Sequence, residues 1–301
     1  MKFSLELPIE HLEGGAEFIG QAALVEMAQA AEEAGFDALA VTDHPVPTAR
    51  WLENGGHYAQ DPFVILSMAG AVTSRIRLLT SLIVVPYRNP FLTARAVASL
   101  DAFTGGRVTL GVGAGYLKAE FKALGVSFDD RNERFNESLA AMRTAWENDE
   151  FTFQGTGYEA LGNRILPRPL QQPVPIWIGG NSKEAIRRTV EYAQGWMPMI
   201  GGAALTTTAK TAPISNFEEL AERWAWLKSY AAEIGKPAPK DLIVGGMPPF
   251  AGAPDERGKF EAAYERAVKV GVTWSPTRAL GRTRAEWLDN VQRGGEIIRA
   301  L

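Results

Sequence analysis

The chain of 301 residues contains no cysteine, so disulfide bridges, thiolate nucleophiles and zinc–thiolate centres are excluded at the outset. Histidine is scarce: the three present, His11, His44 and His57, lack ligand spacing, and no His-Glu-x-x-His helix occurs. Nothing in the pattern therefore supports a metal site. No dense Lys/Arg run appears and the formal net charge is -4, which argues against nucleic acid as a partner. No apolar stretch is long enough to span a bilayer, and Glu6 and Pro8 interrupt the first residues before a signal-peptide segment can form. The expectation is a cytoplasmic protein with no membrane partner. A Gly-x-Ser-x-Gly nucleophile elbow and a phosphate-loop motif are missing. So is a full dinucleotide fingerprint: after Gly111-Val112-Gly113-Ala114-Gly115 the third glycine would fall where Tyr116 stands.

What is there is regular. Hydrophobic residues make up 46% of the chain, enough for a large core. Apolar residues recur at helical spacing, as in Leu24, Met27, Ala28 and Ala31, or Phe135, Leu139, Met142 and Trp146. Between such stripes lie short runs rich in branched residues, at 3–7, 37–41, 76–85, 107–112, 175–178, 195–199, 241–245 and 272–275. Glycine marks the helix-to-strand joints, at Gly35, Gly105-Gly106, Gly195 and Gly271, where a left-handed residue ends a helix. Alternating strand and helix implies a parallel sheet. Eight units predict a closed (β/α)8 TIM barrel filling residues 1–301 as one domain, with an open doubly wound sheet as the alternative. Two stretches depart from the alternation. Residues 151–175, with alternating Phe151 and Phe153, read as a hairpin excursion, and 200–215 as a top-face loop, either a lid or a surface loop without a role.

In such a barrel the strand-to-helix joints form the active face. Val41-Thr42-Asp43-His44-Pro45 stands at one of them, two proton-handling groups on a rigid strand tip, with proline keeping His44 out of the helical region. Taken alone, the pair also reads as a surface turn. Gly179-Gly180-Asn181-Ser182 follows another strand and opens a helix. Asn181 or Ser182 is a natural cap, and free amides with a positive dipole end suit a phosphate. A capped helix without a ligand is the simpler reading of the same string. His57, in a polar loop after Gly55-Gly56, either borders the site or, as the simpler expectation, is an exposed loop residue, and Asp129-Asp130 are expected to be caps and solvated charge.

Several strings, in one order along nearly the whole chain, resemble the luciferase-like monooxygenase family. They are Glu33-Ala34-Gly35-Phe36-Asp37, Thr42-Asp43-His44, Ile76-Arg77-Leu78-Leu79-Thr80-Ser81, Pro86-Tyr87-Arg88-Asn89-Pro90, Gly105-Gly106-Arg107 through Gly115, and Pro167 through Ser182. The resemblance implies a bacterial-luciferase-like (β/α)8 barrel holding a flavin or deazaflavin. It implies that Asp43 and His44 lie beside the ring, with His44 near the substrate. Ser81 and Leu82 would form a strand-end site, often a non-proline cis peptide, against the ring. Gly113, Ala114, Gly115 and Tyr116 would line the cofactor's side chain, and Gly179, Gly180, Asn181 and Ser182 its phosphate. The Asp-His-Pro form is most similar to the branch using coenzyme F420, with catalytic His44 and Asp43 and hydride transfer to or from a small-molecule substrate. An FMN-dependent monooxygenase, served by a reductase supplying reduced cofactor, is the alternative. A flavin-binding protein without catalysis is a third reading. A homodimer is the family expectation. Tyr116 stands where some deazaflavin dehydrogenases carry a glutamate, which argues against sugar-phosphate dehydrogenase activity.

Overall fold

A computed structural model describes residues 1–10, 12–202 and 210–301, and the side chains of residues 12 and 13 lie outside it. Ten strands are present among these residues: β1 (Lys2–Glu6), β2 (Ala38–Val41), β3 (Arg77–Val84), β4 (Val108–Gly113), β5 (Phe151–Gly155), β6 (Tyr158–Asn163), β7 (Ile176–Gly179), β8 (Gly195–Met197), β9 (Asp241–Leu242) and β10 (Trp274–Thr277). Eight of them form one sheet in the order β10-β1-β2-β3-β4-β7-β8-β9, every pair parallel. The two edges meet. The Val244 N–H donates to the Trp274 carbonyl at 3.0 Å and the Thr273 N–H to the Leu242 carbonyl at 2.9 Å. The sheet is thus curled into a barrel with helices outside, and the open-sheet alternative does not describe it.

Alternation along the strands sorts side chains to two cores. Leu39 and Val41 pack outward on the helices, in the large cluster that also takes Met27, Leu66 and Val97. Ala38 and Ala40 face inward with Leu79, Trp177, Ile243 and Trp274. Small and large residues complement each other inside. A β-carbon on Gly195 would fall 2.3 Å from the Trp177 ring, so glycine there is what admits the indole. Trp177 and Trp274 meet edge to face at 5.0 Å and plug the barrel.

Local signals account for the helices. The helix Gln21–Ala34 ends on Gly35 at φ 92°, whose N–H returns to the carbonyls of Ala31 and Glu32. Helices Pro62–Val72 and Pro90–Phe103 start on the same device: a capping carboxylate or amide oxygen (Asp61, Asn89) followed by proline. Gly105 and Gly106, at φ 71° and 81°, serve the turn into β4 as expected.

Strand ends fall one to three residues from expectation, and some differences have a visible cause. The strand expected over 195–199 ends at Met197, because Met199 turns its N–H to the Asn181 side chain. The strand expected over 241–245 is regular only over Asp241–Leu242 and continues as single bonds to its neighbours. The segment after His44 contains a short helix, Ala49–Glu53, capped by Thr48. The excursion at 151–175 is the antiparallel hairpin β5–β6. Of the 200–215 loop, Gly201 bonds back to Ile214 at 3.0 Å, while 203–209 lie outside the described residues, as does the backbone of His11.

Candidate active site at the barrel mouth

The tip of β2 delivers Asp43 and His44 to the mouth, both buried. His44 Nδ1 lies 3.3 Å from Oε2 of Glu120. Glu120 is fully buried on the short helix Lys118–Ala123, just beyond the β4 tip. The same Oε2 accepts from the Tyr87 hydroxyl at 2.8 Å, and Oε1 accepts from the Val46 N–H at 3.3 Å. A buried carboxylate is costly unless its lone pairs are filled, and here three donors converge on it. Burial, then Glu120 itself, holds the Tyr87 phenol far above its usual range, so Tyr87 is a permanent donor. With Nδ1–H assigned to the carboxylate, the lone pair of His44 sits on Nε2, which makes no hydrogen bond to any described residue.

Sequence reasoning missed Glu120, and it quoted Tyr87 within a family string without giving it a role. The available signal was weak: a glutamate next to Phe121 in a short helix otherwise rich in exposed residues.

Asp43 is tied elsewhere. Its Oδ2 accepts from the Val84 N–H at 3.2 Å and its Oδ1 from Arg88 Nη2 at 3.0 Å, binding the tip of β2 to that of β3. Burial raises the Asp43 pKa, and Arg88 opposes the shift. Arg88 also lies 3.6 Å from Asp61, while its buried Nε has no hydrogen-bond partner.

His57 is a loop residue with a substantially exposed side chain, as expected, and it also borders the site: its ring lies 4.8 Å from His44, with Trp51 4.7 Å and Tyr116 6.0 Å from the same imidazole. Gly56 permits this arrangement, since a β-carbon there would fall 2.3 Å from the Trp51 ring. His57 Nδ1 lies 3.0 Å from Glu10, and that contact raises the His57 pKa. Beyond it, Arg278 is paired with Glu6. The mouth thus combines aromatic walls with closely matched charges.

Across the mouth, the Ser81–Leu82 peptide is cis, as the resemblance implies. The Leu82 side chain explains two glycines. A β-carbon on Gly113 or Gly179 would come within 2.5 or 2.3 Å of its methyl groups. Gly115, at φ 77°, instead backs onto Val84 and Phe121. Tyr116 is half-buried, its phenol pushed up by burial and by Glu120. Asn181 is fully buried and acts as a bracket. Its Nδ2 donates to the carbonyls of Met199 (2.7 Å) and Ala212 (2.8 Å), and its backbone N–H to Thr211 Oγ1 (2.8 Å). Of the two candidate caps, Ser182 is the one used: its Oγ accepts from the Ala185 N–H at 3.1 Å. Glu184 turns back on its own amide and the Ser182 hydroxyl, which lowers its pKa. Among the described residues there is no group of three or more metal-ligating side chains, and no helix is long and apolar enough to cross a membrane.

A parallel (β/α)8 barrel with a histidine–carboxylate pair at the C-terminal rim of its strands defines an enzyme scaffold of the α/β-barrel class. The family model for luciferase-like monooxygenases matches residues 1–286. The chain belongs to that family and is an enzyme. Among curated relatives, an uncharacterized protein of Mycobacterium tuberculosis is 30% identical over 241 residues, spanning 75% of this chain and 77% of the relative. A protein of Gordonia bronchialis named F420-dependent glucose-6-phosphate dehydrogenase is 35% identical over 208 residues, 66% of this chain and 60% of its own. Among solved structures, a monooxygenase of Streptomyces bottropensis superposes with TM-score 0.77 at 20% identity, covering 100% of this chain and 99% of its own. An F420-dependent secondary alcohol dehydrogenase superposes with TM-score 0.74 at 18% identity, covering 99% and 98%. At those identities the structures support the fold alone.

Proposed function

We propose that the protein is an F420-dependent oxidoreductase that moves a hydride between the deazaflavin and a small, unphosphorylated organic substrate at the barrel mouth. The observation that carries this reading is His44, fixed by buried Glu120 and presenting Nε2 among Trp51, His57 and Tyr116. The F420-dependent relatives support the choice of cofactor.

The residues present fit the group. At the phosphate end, Gly180 adopts φ 112°, and the Asn181 amide is spent on Thr211. The amides of Ser182 and Lys183 make no hydrogen bond to described residues and sit at the positive end of the helix Lys183–Tyr192. We assign Gly179, Gly180 and Ser182 to the phosphate, with Asn181, expected there too, instead a buried bracket behind them whose polar groups are spent on Met199, Thr211 and Ala212; Gly113, Ala114, Gly115 and Tyr116 go to the side chain, and Ser81, Leu82, Asp43 and His44 to the ring. When bound, the deazaflavin supplies two-electron hydride chemistry.

The chain's own work is placement and proton handling. His44 Nε2 holds the substrate oxygen and exchanges its proton, while Nδ1 stays on Glu120. Asp43 keeps the tips of β2 and β3 together through Val84 and Arg88. Tyr116 and Trp51 wall the substrate from water. Both arginines described at the mouth are already matched, Arg88 to Asp43 and Arg278 to Glu6. That balance, with Tyr116 in place of a glutamate, supports a substrate other than a sugar phosphate.

Titration of the cofactor-free protein with F420 and with FMN, followed by ring fluorescence, tests the reading. Tight binding of F420 is expected; a wide preference for FMN, with oxygen consumed during turnover, would transfer the protein to the flavin-dependent monooxygenases.

A further inference from the structure

Two neighbouring imidazoles at the mouth are built alike. His44 has its Nδ1 3.3 Å from Glu120, and His57 has its Nδ1 3.0 Å from Glu10. The Tyr58 carbonyl lies 3.2 Å from the same His57 nitrogen. Both partners of His57 Nδ1 are acceptors, which assigns the N–H to that nitrogen and the lone pair to Nε2. No described residue bonds to Nε2 of either ring. A proton added to either histidine therefore goes to Nε2, and each resulting imidazolium already has its carboxylate in place.

The two rings differ in their access to water. The His44 side chain is 7% exposed and that of His57 39%. Trp51 covers both, its ring 4.7 Å from His44 and 5.5 Å from His57, and Tyr116 stands 6.0 Å from His44. The two imidazoles meet edge to face at 4.8 Å, a spacing across which a proton passes directly or through one water. The charged groups around His57 come from three segments: Glu6 and Glu10 at and beyond the end of β1, Arg278 just past β10, and His44 past β2. Glu6 holds Arg278, and Glu10 raises the basicity of His57 against the opposing effect of burial. His57 is thus a proton acceptor that touches both the buried base and the solvent.

We propose that His57 is the proton outlet of the active site, taking from His44 the proton that the substrate oxygen releases and passing it to solvent beside Glu10. The proposal rests on the role given to His44 above. In the alcohol-to-carbonyl direction the substrate C–H bond yields its electron pair to the deazaflavin as hydride, and the O–H proton moves to His44 Nε2. His44 gives that proton to His57 Nε2, His57 gives it to water or buffer, and both rings return to the neutral Nδ1–H form. The reverse reaction uses the same path inward. The test needs neither cofactor nor substrate. The rate at which His44 gains and loses its proton is read from nitrogen line shapes of histidine-labelled, cofactor-free protein titrated in dilute buffer. His57→Gln should slow that exchange about a hundredfold, the lower end of what a positioned proton-transfer group contributes. Glu10→Gln, which keeps the ring, should slow it by a smaller factor. Imidazole added to His57→Ala should restore the rate, whereas pyrazole, of the same shape but scarcely basic, should not. Exchange as fast in His57→Gln as in the wild type would overturn the outlet, and so would equal rescue by pyrazole, since either leaves the ring a purely structural part. Failure of the protein to bind F420 would overturn the cofactor reading but not the proton path.

Discussion

The floor and the mouth of the barrel are built from the same eight strands by opposite rules. The interior of the floor is apolar and filled by size: Ala38, Ala40 and Gly195 make room for Trp177 and Trp274. The mouth is filled by polarity, with Glu120, Asp43 and Asn181 each buried and each saturated by partners from other segments. Packing errors in the floor should therefore appear as lost stability. Errors in the mouth should appear as lost positioning, because a buried charge there is only as good as its donors.

The sharpest test of that contrast is His44→Ala. With the role proposed above, it should lower kcat by about 10²–10⁴-fold, the usual contribution of a positioned acid–base group, with the melting temperature little changed. Turnover that survived the substitution in a folded protein would sink the assignment.

Trp177→Ala is the converse experiment. Removing a fully packed indole should cost about 3–5 kcal/mol of unfolding free energy, measured as a lower denaturant midpoint.

Glu120→Gln lies between the two, because it keeps the shape and removes the charge that three donors share. About 1–3 kcal/mol of stability should be lost. The histidine nitrogen spectrum of the apo protein should also lose its preference for the Nδ1–H form of His44. A wild-type spectrum dominated by the Nε2–H form would break the proposed division of labour between the two nitrogens.

The smallest effect belongs to His57. Its pKa is raised by Glu10, so the pair stabilises the fold fully below the unfolded histidine value of about 6.5, and the benefit is lost as pH rises through the higher folded value. The side chain is substantially exposed and the gain correspondingly modest. The difference in melting temperature between wild type and His57→Gln should shrink steadily from acid to alkaline pH; a difference that grew would reverse the assigned direction.

These contrasts also separate what was legible in the chain from what was not. The strand tip Thr42-Asp43-His44 and a helix cap at Asn181 or Ser182 could be read because each depends on residues within a turn of itself, although only the structure chose Ser182. Glu120 could not, because it meets His44 across 76 positions and neither neighbourhood marks the other. For His57 the sequence left two readings open, and both hold: its polar, glycine-rich loop leaves the side chain substantially exposed, and the fold of Trp51 over Gly56 brings its ring beside His44. Gly113 and Gly179 were visible as glycines, but their shared reason, the Leu82 side chain lying between three strand tips, needed the strands side by side.

Hydrophobic period, strand length and glycine placement, all local properties, determined by themselves that this chain builds alternating strands and helices and carries an acid and an imidazole on one tip. Which partners meet at that tip was decided only when the sheet closed. Parallel strands bring all their C-terminal ends to one rim, and there a carboxylate, a phenol and an imidazole from the segments that follow β4, β3 and β2 exclude water together, although none of them could remain ordered in that arrangement alone.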